Sequence, residues 1–275
     1  MKKTIGVIGG DLRQKYLADA LHMPIAFYAN ESILEGENIS KCHHLNELFL
    51  ECDIIVVPIP FSRDQKNIFS RYFDKEISVD SFLSYVNKNH LIIGGPFSIQ
   101  EHKRIKELGA KLIDITSLET FKLMNAIPTA EGVLSEVILK LDKTIHGSRG
   151  LILGYGYCGR RIAHSIRCLG GIVEIYTENS LEKKTVTSDG FIHYEAITNQ
   201  NRFDYTINTI PKVILKQEGV PIKMLFIDIT EFYQWESDCF VKMRGIPGKF
   251  SPRTAGMIIG ELLNDLILNV TGENS

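Results

Sequence analysis

Three glycines near the middle of the chain have a spacing that can bind phosphate. Gly154, Gly156 and Gly159 form a G-x-G-x-x-G pattern within "GLILGYGYCGRRIA", residues 150–163. A strand-like apolar run precedes them and a helix-like run follows, which predicts a strand, a tight turn and the start of a helix. The first glycine allows the turn, the second lets the backbone approach a pyrophosphate, and the third lets helix and strand pack closely. The stretch predicts a dinucleotide site, with a tight turn that binds no ligand as the alternative.

The next strand-like run, "GIVEIYTENS" (residues 171–180), should end where the adenosine ribose of a dinucleotide lies. The acidic residue expected about 20 residues beyond the glycines falls near Thr177 and Glu178. Thr177 has no carboxylate for the ribose hydroxyls, whereas Glu178 can supply one. Lys183 and Lys184 can assist the 2′-phosphate of NADP, or they are simply surface lysines. The sequence leaves the choice between NADP and NAD open.

Two later strand-like runs, "INTIP" (207–211) and "FIDIT" (226–230), carry polar residues at their ends. Because ligands of open α/β sheets bind at the carboxyl ends of the strands, we expect Asn208, Thr209 and Thr230 near the nicotinamide. The predicted cofactor-binding residues come from the turn and these strand ends: Gly154, Tyr155, Gly156, Tyr157, Cys158, Gly159, Thr177, Glu178, Asn208, Thr209, Ile210, Pro211 and Asp228.

Two series of short, β-rich apolar runs alternate with helix-length segments. The first runs from "TIGVIGG" to "KLIDIT" and the second from "GLILG" to "MLFIDIT". Strands that are apolar throughout indicate parallel sheets covered on both faces, hence an α/β fold.

Helical spacing predicts a helix over residues 128–143, with Pro128 in its first turn, and another over residues 254–270. The predicted layout has four parts. They are an N-terminal substrate or partner domain (1–125), a connecting helix (126–143), a dinucleotide domain (144–250) and a C-terminal helix that packs on the first domain (251–275).

The composition is that of a soluble globular protein: 275 residues, 44% hydrophobic and 23% charged, with a net charge of -2. No basic field suggests nucleic acid, and no apolar run is long enough to span a membrane. The five cysteines form no C-x-x-C pair, so we expect reduced thiols of a cytoplasmic protein and no metal site. The N-terminal apolar run is too short for a signal peptide and reads as a first strand.

Several segments together resemble one family. They are "VIGGDLRQ" (7–14), "NAIPTAEG" (125–132), "TIHGS" (144–148), the glycine turn, "INTIP" and "GIPGKFSPRTAG" (245–256). In this order they resemble the family of dipicolinate synthase A subunits from spore-forming bacteria, which is similar to D-2-hydroxyacid and alanine dehydrogenases.

The resemblance implies two Rossmann-like three-layer domains with parallel sheets, an interdomain cleft, a connecting helix and a C-terminal helix returning to the first domain. It also implies NAD(P)-dependent formation of dipicolinate from a tetrahydrodipicolinate-type or dihydrodipicolinate substrate. A flavoprotein-like B subunit of dipicolinate synthase, a homo-oligomer and the mother-cell cytoplasm of a sporulating bacterium are further implications.

Arginine suits a planar dicarboxylate because its guanidinium donates in a fork. We therefore expect Arg13 and Arg253 to bind substrate, and the alternative for both is a surface arginine. The remaining substrate-binding candidates are Thr129 and Thr254. Candidates for catalysis are His146, Glu131 and Asn125. Histidine titrates near neutrality, although a structural role at the domain junction is the alternative for His146.

The chain departs from the family pattern at residues 228–238, "DITEFYQWESD", which contain neither glycine nor arginine. No substrate role is carried over to this loop. Two other functions stay open at this stage. One is a D-2-hydroxyacid or amino-acid dehydrogenase, although its expected arginine and histidine are not found. The other is a non-catalytic subunit that senses NADP while a partner performs the chemistry.

Overall fold

The computed structural model describes residues 4–195, 197, 201–221 and 223–271. The chain divides into two compact units. The first combines the chain up to Met124 with the segment that begins at Pro252, and the second is Asn125–Ser251.

The first unit is built around a parallel sheet with helices on both faces. Its strands are β1 (Ile5–Ile8), β2 (Ile25–Tyr28), β3 (Ile39–Lys41), β4 (Ile54–Val56), β5 (Leu91–Gly94) and β6 (Lys111–Asp114). Its helices include α1 (Leu12–Ala20), α2 (Leu45–Glu51), α3 (Val79–Tyr85) and α4 (Ile99–Glu107), with a 3-10 turn at Ile115–Ser117. The strand order is β3-β2-β1-β4-β5-β6. Because β1, β4 and β5 are buried along their whole length, the sheet has an apolar cluster on each face.

Helix α5 (Glu119–Lys140) begins earlier than the sequence predicts, since Pro128 lies inside the helix and not in its first turn. Proline there cannot donate to the carbonyl of the preceding turn, which disfavours a continuous helix. Tertiary packing outweighs this, because Phe121 is buried in the core of the first unit and Val133 and Val137 in that of the second. The prediction of a helix starting at Pro128 was wrong for that reason.

The second unit repeats the same strand order in its own parallel sheet. Its strands are β7 (Arg149–Leu153), β8 (Ile172–Tyr176), β9 (Ile192–His193), β10 (Tyr205–Asn208), β11 (Leu225–Asp228) and β12 (Phe240–Lys242). Its other helices are α6 (Tyr157–Cys168), α7 (Ser180–Ser188) and α8 (Ile246–Phe250), with a 3-10 turn at Gln217–Gly219. The order β12-β11-β10-β7-β8-β9 places β7 beside β10. Loops that follow these two strands therefore lie at the topological switch point, where such sheets bind ligands.

The C-terminal helix α9 (Pro252–Thr271) packs against α1 of the first unit, as predicted. Gly256 and Gly260 allow the close approach, since a Cβ on Gly256 would lie 2.4 Å from the carbonyl oxygen of Arg13. The apolar face of α9 joins the core of the first unit through Ile259 and Leu263. The predicted α/β class with two parallel sheets is thus confirmed.

Candidate functional site

The central glycines form the predicted turn between β7 and α6. Gly154 has a φ of +94°, a conformation that glycine adopts readily, and Gly156 is the N-cap of α6. A Cβ on Gly154 would lie 2.6 Å from Thr209 Oγ1, and one on Gly159 would lie 2.2 Å from the carbonyl oxygen of Gly154. The first and third glycines are therefore required by the turn and by the packing of α6 on the sheet.

Gly156 differs from the other two glycines because it faces open space. The nearest heavy atom to a Cβ built there is Glu182 Oε1, at 3.9 Å. Glycine has no side chain that could cap the helix. The N–H groups at the start of the 12-residue helix α6 are therefore left for a ligand. A helix N-terminus attracts anions through its N–H groups and its dipole. The residues present thus fit the pyrophosphate of a dinucleotide.

A cleft of about 310 Å³ opens beside the turn, between the ends of β7, β8 and β10. Seven of the predicted cofactor residues line it: Gly154, Gly156, Thr177, Glu178, Thr209, Ile210 and Pro211. Asn179, Glu182 and Lys212 complete the lining.

The tip of β8 is tied to the glycine turn by a carboxylate. Glu182 Oε2 accepts hydrogen bonds from the Tyr155 N–H (3.0 Å) and from Thr177 Oγ1 (2.5 Å). Thr177 is buried and also accepts from the Asn179 N–H. The predicted ribose position is therefore occupied by a threonine whose hydroxyl is already engaged.

An ion pair crosses the mouth of the cleft. Lys212 Nζ lies 2.5 Å from Glu178 Oε2, and Tyr176 donates its hydroxyl to Glu178 Oε1. The hydrogen bond from Lys212, then that from Tyr176, lowers the pKa of Glu178. Both charged side chains are more than half exposed, so the pair can open at little cost in free energy.

The ends of β10 and β11 are joined by a buried polar network. Asn208 donates its side-chain amide to Asp228 Oδ1 and to Thr230 Oγ1. Asp228, fully buried, also accepts from the Thr230 hydroxyl and from the Tyr233 N–H. Asn208 and Asp228 do not line the cleft, and their hydrogen bonds hold the loops that follow the two strands.

Two residues of the turn serve packing. The Tyr155 ring is buried and its hydroxyl donates to Asp189, which also pairs with Arg160. Burial raises the pKa of the Cys158 thiol above its ordinary value, although a hydrogen bond with Thr129 acts the other way. A raised pKa leaves little reactive thiolate, so Cys158 has the properties of a packing residue.

The first unit has a glycine turn as well, between β1 and α1, but other residues of that unit fill it. A Cβ on Gly10 would lie 2.1 Å from Gln14 Oε1, and Gln14 in turn accepts the Asp11 N–H. A Cβ on Gly9 would lie 2.8 Å from the Phe69 carbonyl oxygen. The turn with room for a phosphate is therefore that of the second unit.

Comparison with known proteins agrees with this architecture. Residues 4–116 match the family described as the N-terminal domain of the dipicolinate synthase A subunit. The chain is 26% identical over 288 residues to the dipicolinate synthase A subunit of Bacillus subtilis (strain 168), which covers 98% of this chain and 97% of that protein. A crystal structure of a dipicolinate synthase A chain from Bacillus subtilis matches with a TM-score of 0.85 and 25% identity, over 100% of this chain and 98% of that one. The N-terminal part of the chain therefore matches that domain family, and the chain is similar to dipicolinate synthase A subunits over its full length.

The same fold is found in a second dipicolinate synthase A subunit and in a dehydrogenase. The dipicolinate synthase A subunit of Bacillus halodurans matches with a TM-score of 0.83 and 22% identity, over 96% of this chain and 97% of that one. An L-alanine dehydrogenase matches with a TM-score of 0.67 and 12% identity, over 98% and 90% of the two chains. The structural relationship to dehydrogenases that the sequence predicts is confirmed.

The two arginines predicted to bind substrate both belong to the first unit. Arg13 is buried and donates from Nε and Nη2 to the two oxygens of Asp11, at 2.8 and 2.9 Å, and from Nη2 to the Ile59 carbonyl. Arg253 and Thr254 lie exposed in the first turn of α9, which packs on α1. Their substrate-binding roles stay predictions.

The remaining candidates lie elsewhere in the second unit. Thr129 is buried and donates its hydroxyl to the Asn125 carbonyl one turn earlier in α5, whereas Glu131 is exposed. His146 is exposed and precedes β7, so it lies at the amino edge of the sheet, away from the glycine turn at the carboxyl edge. Its catalytic role stays a prediction that this position does not support.

Sequence reasoning missed Glu182 and Lys212. Glu182 is in the first turn of the helix that follows β8, and Lys212 follows "INTIP" directly. Acidic residues are common in the first turn of a helix because they interact favourably with the helix dipole. The spacing along the chain therefore does not indicate that Glu182 also bonds to the backbone of the glycine turn.

Neither a metal centre nor a membrane span is found in the part of the chain that the structure describes. There, no three His, Cys, Asp or Glu side chains are grouped so as to hold a metal ion. Nor is any helix in that part both long and apolar enough to cross a bilayer.

Proposed function

We propose that this chain is the NAD(P)-dependent oxidoreductase subunit of a dipicolinate synthase. The observation that carries the proposal is the open space at Gly156, in a turn whose other two glycines are closely packed. The full-length likeness to the A subunit of that enzyme supports dipicolinate as the product. The substrate class is a 4-hydroxy-tetrahydrodipicolinate or a dihydrodipicolinate.

The second unit supplies the cofactor site. The turn at Gly154 and Gly156 and the start of α6 would hold the pyrophosphate, and Thr209 and Ile210 would form the wall beside β10. Asn208 and Asp228 keep that wall in place through their hydrogen bonds. When bound, the nicotinamide supplies a hydride acceptor.

The overall reaction is balanced without another oxidant. Loss of water from the 4-hydroxy-tetrahydrodipicolinate gives a dihydrodipicolinate, and removal of a hydride and a proton from that compound gives the aromatic dicarboxylate. A nicotinamide dinucleotide held at the glycine turn would accept the hydride, and the proton would be released. Arg253 and Thr254 are exposed and are proposed to bind a substrate carboxylate. Arg13 is proposed to add a second positive charge at the same end of the first unit, where Asp11 is its counter-ion.

Of the remaining candidates on α5, Glu131 is proposed to transfer the proton, and Asn125 is proposed to orient the substrate through hydrogen bonds of its amide. Asn125 is half-buried and Glu131 exposed, so both are accessible to solvent or substrate.

The proposal also includes a flavoprotein-like B subunit, a homo-oligomer and the cytoplasm of a sporulating mother cell. A partner is supported by the name of the B. subtilis relative, which designates it as one lettered subunit of an enzyme.

Reconstitution tests the proposal. The purified chain, with and without the B subunit, is incubated with 4-hydroxy-tetrahydrodipicolinate and either NAD+ or NADP+. We expect dipicolinate, measured by chromatography, to form together with an equal amount of reduced nicotinamide. Binding of the dinucleotide without turnover by the reconstituted pair would favour a sensing subunit instead. Oxidation of simple 2-hydroxy acids or amino acids, with no dipicolinate, would favour an ordinary dehydrogenase.

The role of Gly156 can be tested by binding alone. Gly156→Ser places a hydroxymethyl group in the open space and lets it cap the free start of α6. We expect dinucleotide binding, measured by calorimetry, to weaken at least about tenfold while the melting temperature is unchanged or higher. Gly219→Ser is the matched control because Gly219 also faces open space in the second unit. Equal affinity in the two variants would contradict the site.

A further inference from the structure

We propose that Glu182 is the carboxylate that binds the adenosine ribose, and that it makes this chain select NAD over NADP. The inference rests on the proposed dinucleotide site and names the residue that decides its specificity. At the tip of β8, where the sequence leads one to expect the acid, Thr177 has none.

The position of Glu182 is determined by two anchors on different elements. From the first turn of α7 its Oε2 accepts the Tyr155 N–H of the glycine turn and the Thr177 hydroxyl at the tip of β8. A carboxylate held between these two points lies where an acid on the strand tip would lie. The helix-borne side chain thus replaces the missing strand-tip acid.

The second carboxylate oxygen is left for a ligand. Glu182 Oε1 is the nearest heavy atom to the open position at Gly156, 3.9 Å from a Cβ built there. Within the described residues, no hydrogen-bond donor is directed at this oxygen. It lines the cleft beside the proposed pyrophosphate position, so it is a ready acceptor for the hydroxyls of the adjoining ribose.

Glu178, the other carboxylate in the cleft, is less suited to this role. Its Oε1 accepts the Tyr176 hydroxyl and its Oε2 pairs with Lys212. Both oxygens are engaged, and the side chain is more exposed than that of Glu182. Glu182 is therefore the carboxylate that remains for the ribose.

The lining of the cleft also disfavours a 2′-phosphate. Lys212 is the one cation in that lining among the described residues, and its charge is offset by the ion pair with Glu178. A phosphate next to Glu182 would be repelled by the charge of that carboxylate. Negative charge at this position is what excludes NADP from NAD-selective sites.

The test is a set of binding titrations that need no substrate. NADH and NADPH are titrated into the full chain and followed by the change in nicotinamide fluorescence. We expect wild type to bind NADH at least about tenfold more tightly than NADPH, and Glu182→Gln to lose most of that preference by weakening NADH binding. The matched control is Glu218→Gln, an exposed glutamate of the same unit, which should keep the wild-type preference.

A second variant asks whether Lys212 recruits a 2′-phosphate instead. Lys212→Gln should leave NADPH binding no weaker than in wild type if the proposal holds. A wild-type preference for NADPH, lost in Lys212→Gln, would overturn it. Should Glu182→Gln fail to fold, Glu182→Asp takes its place, because the shorter side chain withdraws the carboxylate and should also weaken NADH binding.

The failure of this inference can be told from the failure of the proposed function. If wild type binds neither dinucleotide, the cofactor site itself is refuted. If it binds both equally, or if Glu182→Gln keeps the full preference for NADH, only the role of Glu182 is refuted and the dinucleotide site stands.

Discussion

At the scale of single residues, Asp11 and Arg13 form a buried ion pair in the first unit. Their side chains are only 12% and 6% exposed, and the pairing is bidentate. Burial acts to raise the pKa of Asp11, but the hydrogen bond and the charge of Arg13 outweigh it and hold the pKa below its ordinary value. An arginine predicted from the sequence to bind substrate therefore also has an internal partner.

This pair predicts acid-sensitive stability. Because the folded-state pKa of Asp11 lies below its ordinary value of 3.8, its contribution is complete above that value and is lost as the pH falls through the folded-state pKa. Asp11→Asn leaves Arg13 buried without a counter-ion, so we expect the free energy of unfolding at neutral pH to fall by about 3–5 kcal/mol. Urea unfolding at several pH values should show this difference shrinking in acid. The control is Asp19→Asn, exposed on the same helix, and a difference that does not vary with pH would contradict the prediction.

At the scale of elements, the contact between α1 and α9 depends on two small residues. A Cβ on Gly256 would lie 2.4 Å from the Arg13 carbonyl oxygen and 2.7 Å from Tyr16 Cβ, and one on Gly260 would lie 2.7 Å from Ala20 Cβ. The backbones of the two helices are therefore close enough to exclude even a methyl group. This contact also brings the starts of both helices, with Arg13 and Arg253, into the same unit.

The close contact reverses the usual effect of an alanine substitution. In an open helix, glycine to alanine stabilises by up to about 1 kcal/mol. Gly256→Ala should instead lower the free energy of unfolding by about 1–3 kcal/mol, because α9 must move away from α1. Thermal and urea unfolding measure the change. Gly36→Ala, where a Cβ meets no neighbour, should remain near wild type; a stabilised Gly256→Ala would show that the helices are not so close.

At the scale of the whole molecule, two units share one strand order and differ in what their first turn admits. The turn after β1 is filled by Gln14 and by the Phe69 backbone, whereas the turn after β7 is open at Gly156. The same topology therefore leaves one unit with a turn that is open to a ligand and the other with a packed turn. The core of the first unit is completed only by α9, from the far end of the chain.

Removal of α9 should separate the stabilities of the two units. A chain ending at Ser251 lacks four side chains that are at least nine-tenths buried in the first unit: Ile258, Ile259, Leu263 and Ile267. At about 1.5–3 kcal/mol each, their loss is comparable to the stability of a whole domain, roughly 5–15 kcal/mol. We expect hydrogen exchange to show lost protection in β1–β6 and retained protection in β7–β12. Equal loss in both units would contradict their independence.

Local patterns in the sequence were sufficient for much of the secondary structure and for the turn. Continuous apolar runs predicted buried parallel strands, and the glycine spacing with its flanking runs predicted the turn between β7 and α6. These features depend on the residues within one short segment. The same local reasoning failed at α5, where Pro128 predicts a first turn. The helix begins at Glu119 instead, because its first residues pack on the first unit through the buried Phe121.

The sequence by itself determined the class of the fold, the glycine turn and the resemblance to dipicolinate synthase, because each is encoded in local spacing or in segments that can be compared directly. Only the tertiary structure decided which side chains meet at that turn. Glu182 reaches the tip of β8 from a different element, Lys212 crosses to Glu178, and Arg13 is matched by Asp11. Their meeting depends on how strands and helices pack, which no spacing along the chain specifies.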